Sequence, residues 1–149
     1  MTTLVATDLD EVKRLHEEFI VANRTGDTAW CRAHMAPGDE AIILFNTNGS
    51  AYHGVEHWCS LWDYYRDHIK GDRRTGGKPP LFESVGPHYT VVGDAAWVVY
   101  RLRMVAKLDD VPVPEQARGT EIYQRLNGVW SMVHAHFSIG ESGGPMGGR

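Results

Sequence analysis

Apolar residues recur at helical spacing from the start of the chain: Val12, Leu15, Phe19 and Ala22 mark one face of a helix that Asp8 can cap and that reaches to about Arg24. Thr25, Gly26 and Asp27 break that helix. A shorter one starts from Asp27, carries Ala29, Trp30 and Ala33, and ends near Pro37. The run AIILF from Ala41 to Phe45 has the character of a buried strand, and the following NTNGS that of a turn. From Gly54 to Ile69 the helical period returns, with Trp58, Leu61, Trp62, Tyr65 and Ile69 on one stripe and His57, Tyr64 and His68 on its flank. A Gly-rich loop, GDRRTGGKPP, follows. The period then changes to two in LFESV, HYTVV and AAWVVYRLRMVA, with Gly93 and Asp94 as a hairpin turn. KLDDVPVPEQA interrupts this pattern, and the stretch from Arg118 to Gly140 supplies two last strands. Helices first and an antiparallel sheet afterwards predict an α+β domain with helices packed on one sheet face. Residues 1–140 form a single domain in this reading, and 141–149 a flexible Gly-rich tail.

The chain of 149 residues is long enough to bury a core without staples, and its five Trp, six Tyr and four Phe can fill that core or line a pocket. A net charge of −4 argues against a nucleic-acid surface, and the one basic cluster, Lys70 to Arg74, reads as a solvated loop. Cys31 and Cys59 lack any framework spacing, which points to a reduced, cytoplasmic protein. The N-terminus has no leader pattern and no stretch is long enough for a membrane span, so no membrane partner is expected.

Asn127-Gly128 is a strong hairpin signal, and a two-residue turn sets the register of the strands it joins. With Leu126 facing Val129, an unbroken ladder places Arg125 opposite Trp130, Tyr123 opposite Met132, Glu121 opposite His134 and Gly119 opposite His136. One face then collects Glu121, His134 and His136, and the other Ile122, Leu126, Val129, Val133, Ala135 and Phe137. An imidazole held by a carboxylate is the arrangement a general base needs. An ordinary cross-strand polar pair and a metal site built on His134 and His136 remain open alternatives, although no third or fourth ligand can be named. On the preceding strand Val98, Tyr100, Leu102 and Met104 point one way, and Trp97, Val99, Arg101 and Arg103 the other. Arg101 suits an anionic ligand, a pairing with Glu121, or solvent.

Three helices followed by a curved sheet, with NRTGDTAW after the first helix, YHGVEHW entering the third and RGTEIYQRLNGVWSMVHAHFS at the end, resemble the nuclear-transport-factor-2-like superfamily. The resemblance covers residues 8–139 and is nearest to the SnoaL-like branch and to the association domain of calcium/calmodulin-dependent protein kinase II. It implies three N-terminal helices packed on a strongly curved, mainly antiparallel sheet, a cone with an internal pocket for small apolar or aromatic molecules, and a homodimer or higher homo-oligomer formed through the sheet. In the association domain an arginine facing the pocket stands where this chain has Glu121. Ketosteroid isomerase, of the same superfamily, uses a tyrosine and an aspartate where this chain has Phe19 and Phe45. Both are inert. A later family aspartate falls on Glu121 or Ile122, so the isomerase machinery does not carry over as a set. Scytalone dehydratase and limonene epoxide hydrolase cannot be matched residue by residue.

The expected chemistry is that of a lyase or isomerase working without metal or organic cofactor on an aromatic or other ring-bearing small molecule, by proton abstraction, dehydration or retro-aldol cleavage. His134, tuned by Glu121, is the expected base or acid, with His136, Tyr123 and Arg101 orienting substrate or an oxyanion. Trp58, Trp62, Tyr65 and Tyr100 are the expected pocket walls. The rival expectation is a non-catalytic ligand-binding or assembly module.

Overall fold

The computed structural model describes residues 7–69, 82–104 and 116–139. The Gly-rich loop, the basic cluster at Lys70 to Arg74, most of the KLDDVPVPEQA segment, the tail from residue 141 and the side chains of Tyr65 and His68 lie outside the described residues. Helix α1 spans Asp8–Thr25, and Thr7 rather than Asp8 caps it. The Thr7 hydroxyl accepts from the Asp10 amide at 3.1 Å while the Asp10 carboxylate accepts from the Thr7 amide at 3.3 Å, a reciprocal capping box. Asp8 is thereby left free for another task. At the other end Gly26, at φ 69°, closes the helix in the left-handed conformation, its amide bonded to the Ala22 carbonyl. Asp27 caps α2, Thr28–His34, as its position predicts.

Strands β1, Ile43–Phe45, and β2, Ala51–His53, precede helix α3, Val55–Ile69. β2 has a single buried residue, Tyr52, and is too short to show a period in the sequence. Strands β3, Phe82–Val92, β4, Ala95–Met104, β5, Gln116–Leu126, and β6, Val129–Ser138, complete an open six-stranded sheet of order β2-β1-β6-β5-β4-β3. Among these six strands β1 and β6 pair in parallel and the other neighbours are antiparallel. The three helices and this mixed sheet make the α+β architecture that the sequence pattern predicts.

The core lies between the helices and the inner face of the sheet. Val12, Leu15, Phe19 and Ala22 bury the expected face of α1. Trp58 and Trp62 pack against Phe19 and Phe137, with Trp58 stacked on Phe137 at 6.2 Å and Phe19 stacked on it from 6.0 Å. β4 divides as its alternation predicts: Val98, Tyr100 and Leu102 are buried, whereas Trp97, Val99, Arg101 and Arg103 are exposed.

The final hairpin corrects the expected register. Asn127 and Gly128 both have positive φ, 51° and 80°, as a two-residue turn matched to strand twist requires, and Leu126 does face Val129. Beyond Tyr123 and Met132, however, Val133 is an extra residue: Ile122 pairs with His134, Glu121 with Ala135, and Gly119 with Phe137. Glu121 and His134 consequently point to opposite faces. The preference has a plain cause. An unbroken ladder would put His134 and His136 into the core and turn Ala135 and Phe137 out, losing about 1.5–3 kcal/mol for the phenyl ring alone and leaving two imidazoles to find partners there. The expected apolar face is likewise split, because Ala135 and Phe137 are buried while Val129 is exposed.

Asp8 and Arg125 fasten the hairpin to the helix layer. The Asp8 carboxylate accepts from Trp130 Nε1 at 3.1 Å and meets Arg125 at 2.6 Å, and the Arg125 guanidinium lies over the Trp130 ring at 4.9 Å. The bonds from Trp130 and Arg125 hold the Asp8 pKa below its ordinary value. A depressed carboxylate stabilises the fold above its unfolded pKa and loses that effect as acid protonates it. Acid titration followed by circular dichroism should therefore show wild type losing an increment of stability below the ordinary aspartate range, about pH 3.9, that Asp8→Asn lacks. The register has its own check in chemical denaturation. Phe137→Ala should cost about 3–5 kcal/mol and His136→Ala no more than about 0.5 kcal/mol, whereas an unbroken ladder would reverse the two.

Candidate functional site

Four elements of the fold aim polar groups at one buried point under α1. Glu121, on β5, is fully buried with an ionisable side chain, and its nearest partner comes from the helix. His16 is 1% exposed, and its Nδ1 lies 2.9 Å from Glu121 Oε2 and 3.1 Å from Oε1. Tyr123, two residues along β5 and on the same face, donates its hydroxyl to Oε1 at 2.6 Å. On the far side of the imidazole, Nε2 lies 2.8 Å from the half-buried Ser84 Oγ of β3. With Glu121 ionised and accepting, Nδ1 carries the ring proton, so Nε2 presents its lone pair to the Ser84 hydroxyl.

Tyr100 of β4 completes the group, its ring edge-on to His16 with centroids 4.4 Å apart, and Tyr89 of β3 packs at 5.8 Å. Burial, and then the Glu121 charge, pushes the Tyr100 and Tyr123 pKa values well above the ordinary phenol range. Both stay protonated donors. Burial also lifts Tyr89 to about 12. The two hydroxyls nevertheless differ: Tyr123 donates to Glu121 at 2.6 Å, whereas Tyr100 Oη, drawn toward the same carboxylate, is buried without a well-formed hydrogen bond among the described residues. Gly119 is what admits the Tyr100 ring, since a Cβ there would sit 2.8 Å from Tyr100 Cζ.

The residues singled out in the sequence are brought together only in part. Glu121, Tyr123 and Tyr100 meet here. His134 does not: Nδ1 lies 2.6 Å from the Ile43 carbonyl on the other sheet face, where Phe45 lies edge-on to both His134 and the exposed His136. Arg101 is exposed on that outer face, away from Glu121. Trp58 and Trp62 act as core packing, although Trp58 Nε1 is buried without a hydrogen-bond partner among the described residues. His16, Ser84 and Tyr89 were not singled out. The signal for His16 was present, because it follows Val12 by four residues and precedes Phe19 by three, a core position of an amphipathic helix. Among the described residues no three of His, Cys, Asp and Glu gather as metal ligands. A groove of about 320 Å³ along α1 is lined by Arg14, Glu17, Glu18 and Trp30, at helical spacing on the other side from His16. Cys31 and Cys59 are buried free thiols, with pKa values raised by burial, and have no contact with the site.

Residues 12–141 match the family model of the SnoaL-like domain. The chain belongs to the SnoaL-like family. Solved structures carry the same fold. A nuclear-transport-factor-2-like protein of unknown function from Pseudomonas putida is 23% identical, with 87% of this chain and 84% of that one covered and a TM-score of 0.70. A domain from Chlamydomonas reinhardtii with homology to the hub of calcium/calmodulin-dependent protein kinase II is 21% identical over 91% of this chain and 100% of that one, TM-score 0.69. A ketosteroid isomerase-like protein from Parabacteroides distasonis is 18% identical over 95% of each chain, TM-score 0.63. No helix among the described residues of this SnoaL-like protein is long and apolar enough to cross a membrane.

The contrast between the two buried tyrosines is measurable in thermal melts of the ligand-free protein. Tyr123→Phe strips a 2.6 Å bond from a buried carboxylate and should cost about 1–3 kcal/mol, whereas Tyr100→Phe removes a hydroxyl without a well-formed bond and should cost less.

Proposed function

We propose that this SnoaL-like protein is a lyase or isomerase that performs acid/base chemistry on an aromatic or other ring-bearing small molecule, with His16 in the role first expected of His134. The observation that carries this reading is the buried imidazole–carboxylate contact of 2.9 Å between His16 and Glu121. A carboxylate in that position fixes the tautomer and stabilises the imidazolium that forms when Nε2 takes a proton. The proton path runs through Ser84: its hydroxyl proton passes to Nε2 as Oγ takes one from the substrate. Tyr100, neutral and without a well-formed hydrogen bond among the described residues, is the donor for the negative charge that develops on a substrate oxygen. Glu121 positions His16 and does not touch the substrate. Tyr89 and Tyr100 offer aromatic surface to a flat ring.

Turnover of a panel of cyclic and aromatic carbonyl compounds and diols tests this. His16→Gln and Glu121→Gln should each reduce kcat/KM at least about a hundredfold, with circular dichroism unchanged and the pH profile of Glu121→Gln displaced from that of wild type. Full activity in a folded His16→Gln variant would remove the base. A second reading, a module that binds or assembles without turning over a ligand, draws support from the likeness to the hub homology domain, whose whole length is matched. A thermal-shift screen with product analysis of every hit separates the two, because stabilisation without conversion favours the module.

A further inference from the structure

The geometry points to a second activity at the same groups: Ser84, His16 and Glu121 form a nucleophilic triad competent for acyl transfer from small, uncharged esters. Ser84 Oγ lies 2.8 Å from Nε2, and Nδ1 lies 2.9 Å from the carboxylate, so nucleophile, base and orienting acid stand in sequence across one imidazole. The three come from β3, α1 and β5. Each link is within normal hydrogen-bond length, and Ser84 is the one member that is not fully buried.

A second observation supplies what a tetrahedral intermediate needs. Tyr100 Oη is a buried donor, drawn toward Glu121 but without a well-formed hydrogen bond among the described residues, on a ring in edge contact with His16. A buried donor so weakly held can turn to a ligand oxygen at little cost. The ester class follows from charge. The described residues bring Glu121, Ser84, Tyr89 and Tyr100 to the imidazole, with no cationic side chain among them to hold a ligand carboxylate, so a neutral acyl group is the better fit.

In the reaction Ser84 Oγ forms a bond to the acyl carbon as its proton moves to Nε2, and the carbonyl electron pair goes to an oxyanion that Tyr100 holds. Collapse breaks the bond to the leaving alcohol, which takes the proton from Nε2. Water then gives a proton to Nε2, attacks the acyl carbon, and releases the acid as Ser84 regains its proton. No electrons are gained or lost. The inference rests on the His16–Glu121 pair of the preceding section but not on any lyase or isomerase turnover.

The test is covalent labelling of the full chain with p-nitrophenyl acetate and phenylmethylsulfonyl fluoride, read by intact mass and peptide mapping. One acetyl or sulfonyl group on Ser84 is expected, with a stoichiometric burst of nitrophenolate. Ser84→Ala should abolish it, His16→Gln should slow acylation at least about a hundredfold, and Tyr100→Phe should slow it about tenfold or more with a smaller loss of melting temperature than Tyr123→Phe. Ser84→Cys, which preserves packing, should react with iodoacetamide at position 84 with a pH profile that Glu121→Gln displaces. Label scattered over lysines, no label at Ser84, or an unchanged rate in folded His16→Gln would each overturn the triad. Because labelling needs no isomerase or lyase substrate, these failures are distinct from a failure of the function proposed above.

Discussion

Glu121 is the constraint around which the interior is arranged. A carboxylate with no exposed surface must be met by donors, since an uncompensated charge in a protein interior costs several kcal/mol. His16 and Tyr123 meet it, from a helix and from its own strand. Satisfying Glu121 therefore decides which face of α1 can carry a histidine and how closely α1 approaches β5. The same bonds prepare the imidazole for chemistry, because the nitrogen committed to Glu121 leaves the other one basic. Stability and reactivity have one cause here.

The bulge at Val133 is the second decision, and it makes the first possible. By adding one residue to β6 it lets Trp130 and Met132 face the core on one side of the irregularity, and Ala135 and Phe137 on the other. Phe137 then stands between Phe19 and Trp58, and Glu121 has a small neighbour, Ala135, that leaves room for His16. His134 and His136 turn to the outer face with Phe45.

Membership of the SnoaL-like family and likeness to proteins of known structure establish the architecture, and the chemistry depends on the side chains grafted onto it. Here those are an imidazole on the first helix, a carboxylate and a phenol on the fifth strand, a hydroxyl on the third, and a second phenol on the fourth. That set differs from the pairing the hairpin alone suggested, while keeping its logic of a base held by an acid.

Periodicity by itself determined the order and nature of the long elements, the capping aspartate of α2, the division of β4 into buried and exposed halves, and the turn at Asn127-Gly128, because each depends on residues close together in the chain. It also marked Glu121, Tyr123 and Tyr100 as chemistry-bearing. The hint of the bulge was there too, in apolar residues that change from even to odd positions between Met132 and Ala135. What no local pattern decided was the partner of Glu121. His16 stands 105 residues away from it, and Ser84 meets the imidazole from a third element. Only the competition between burying Phe137 and burying two histidines, settled by packing against the helices, turned His134 out and left the carboxylate to His16.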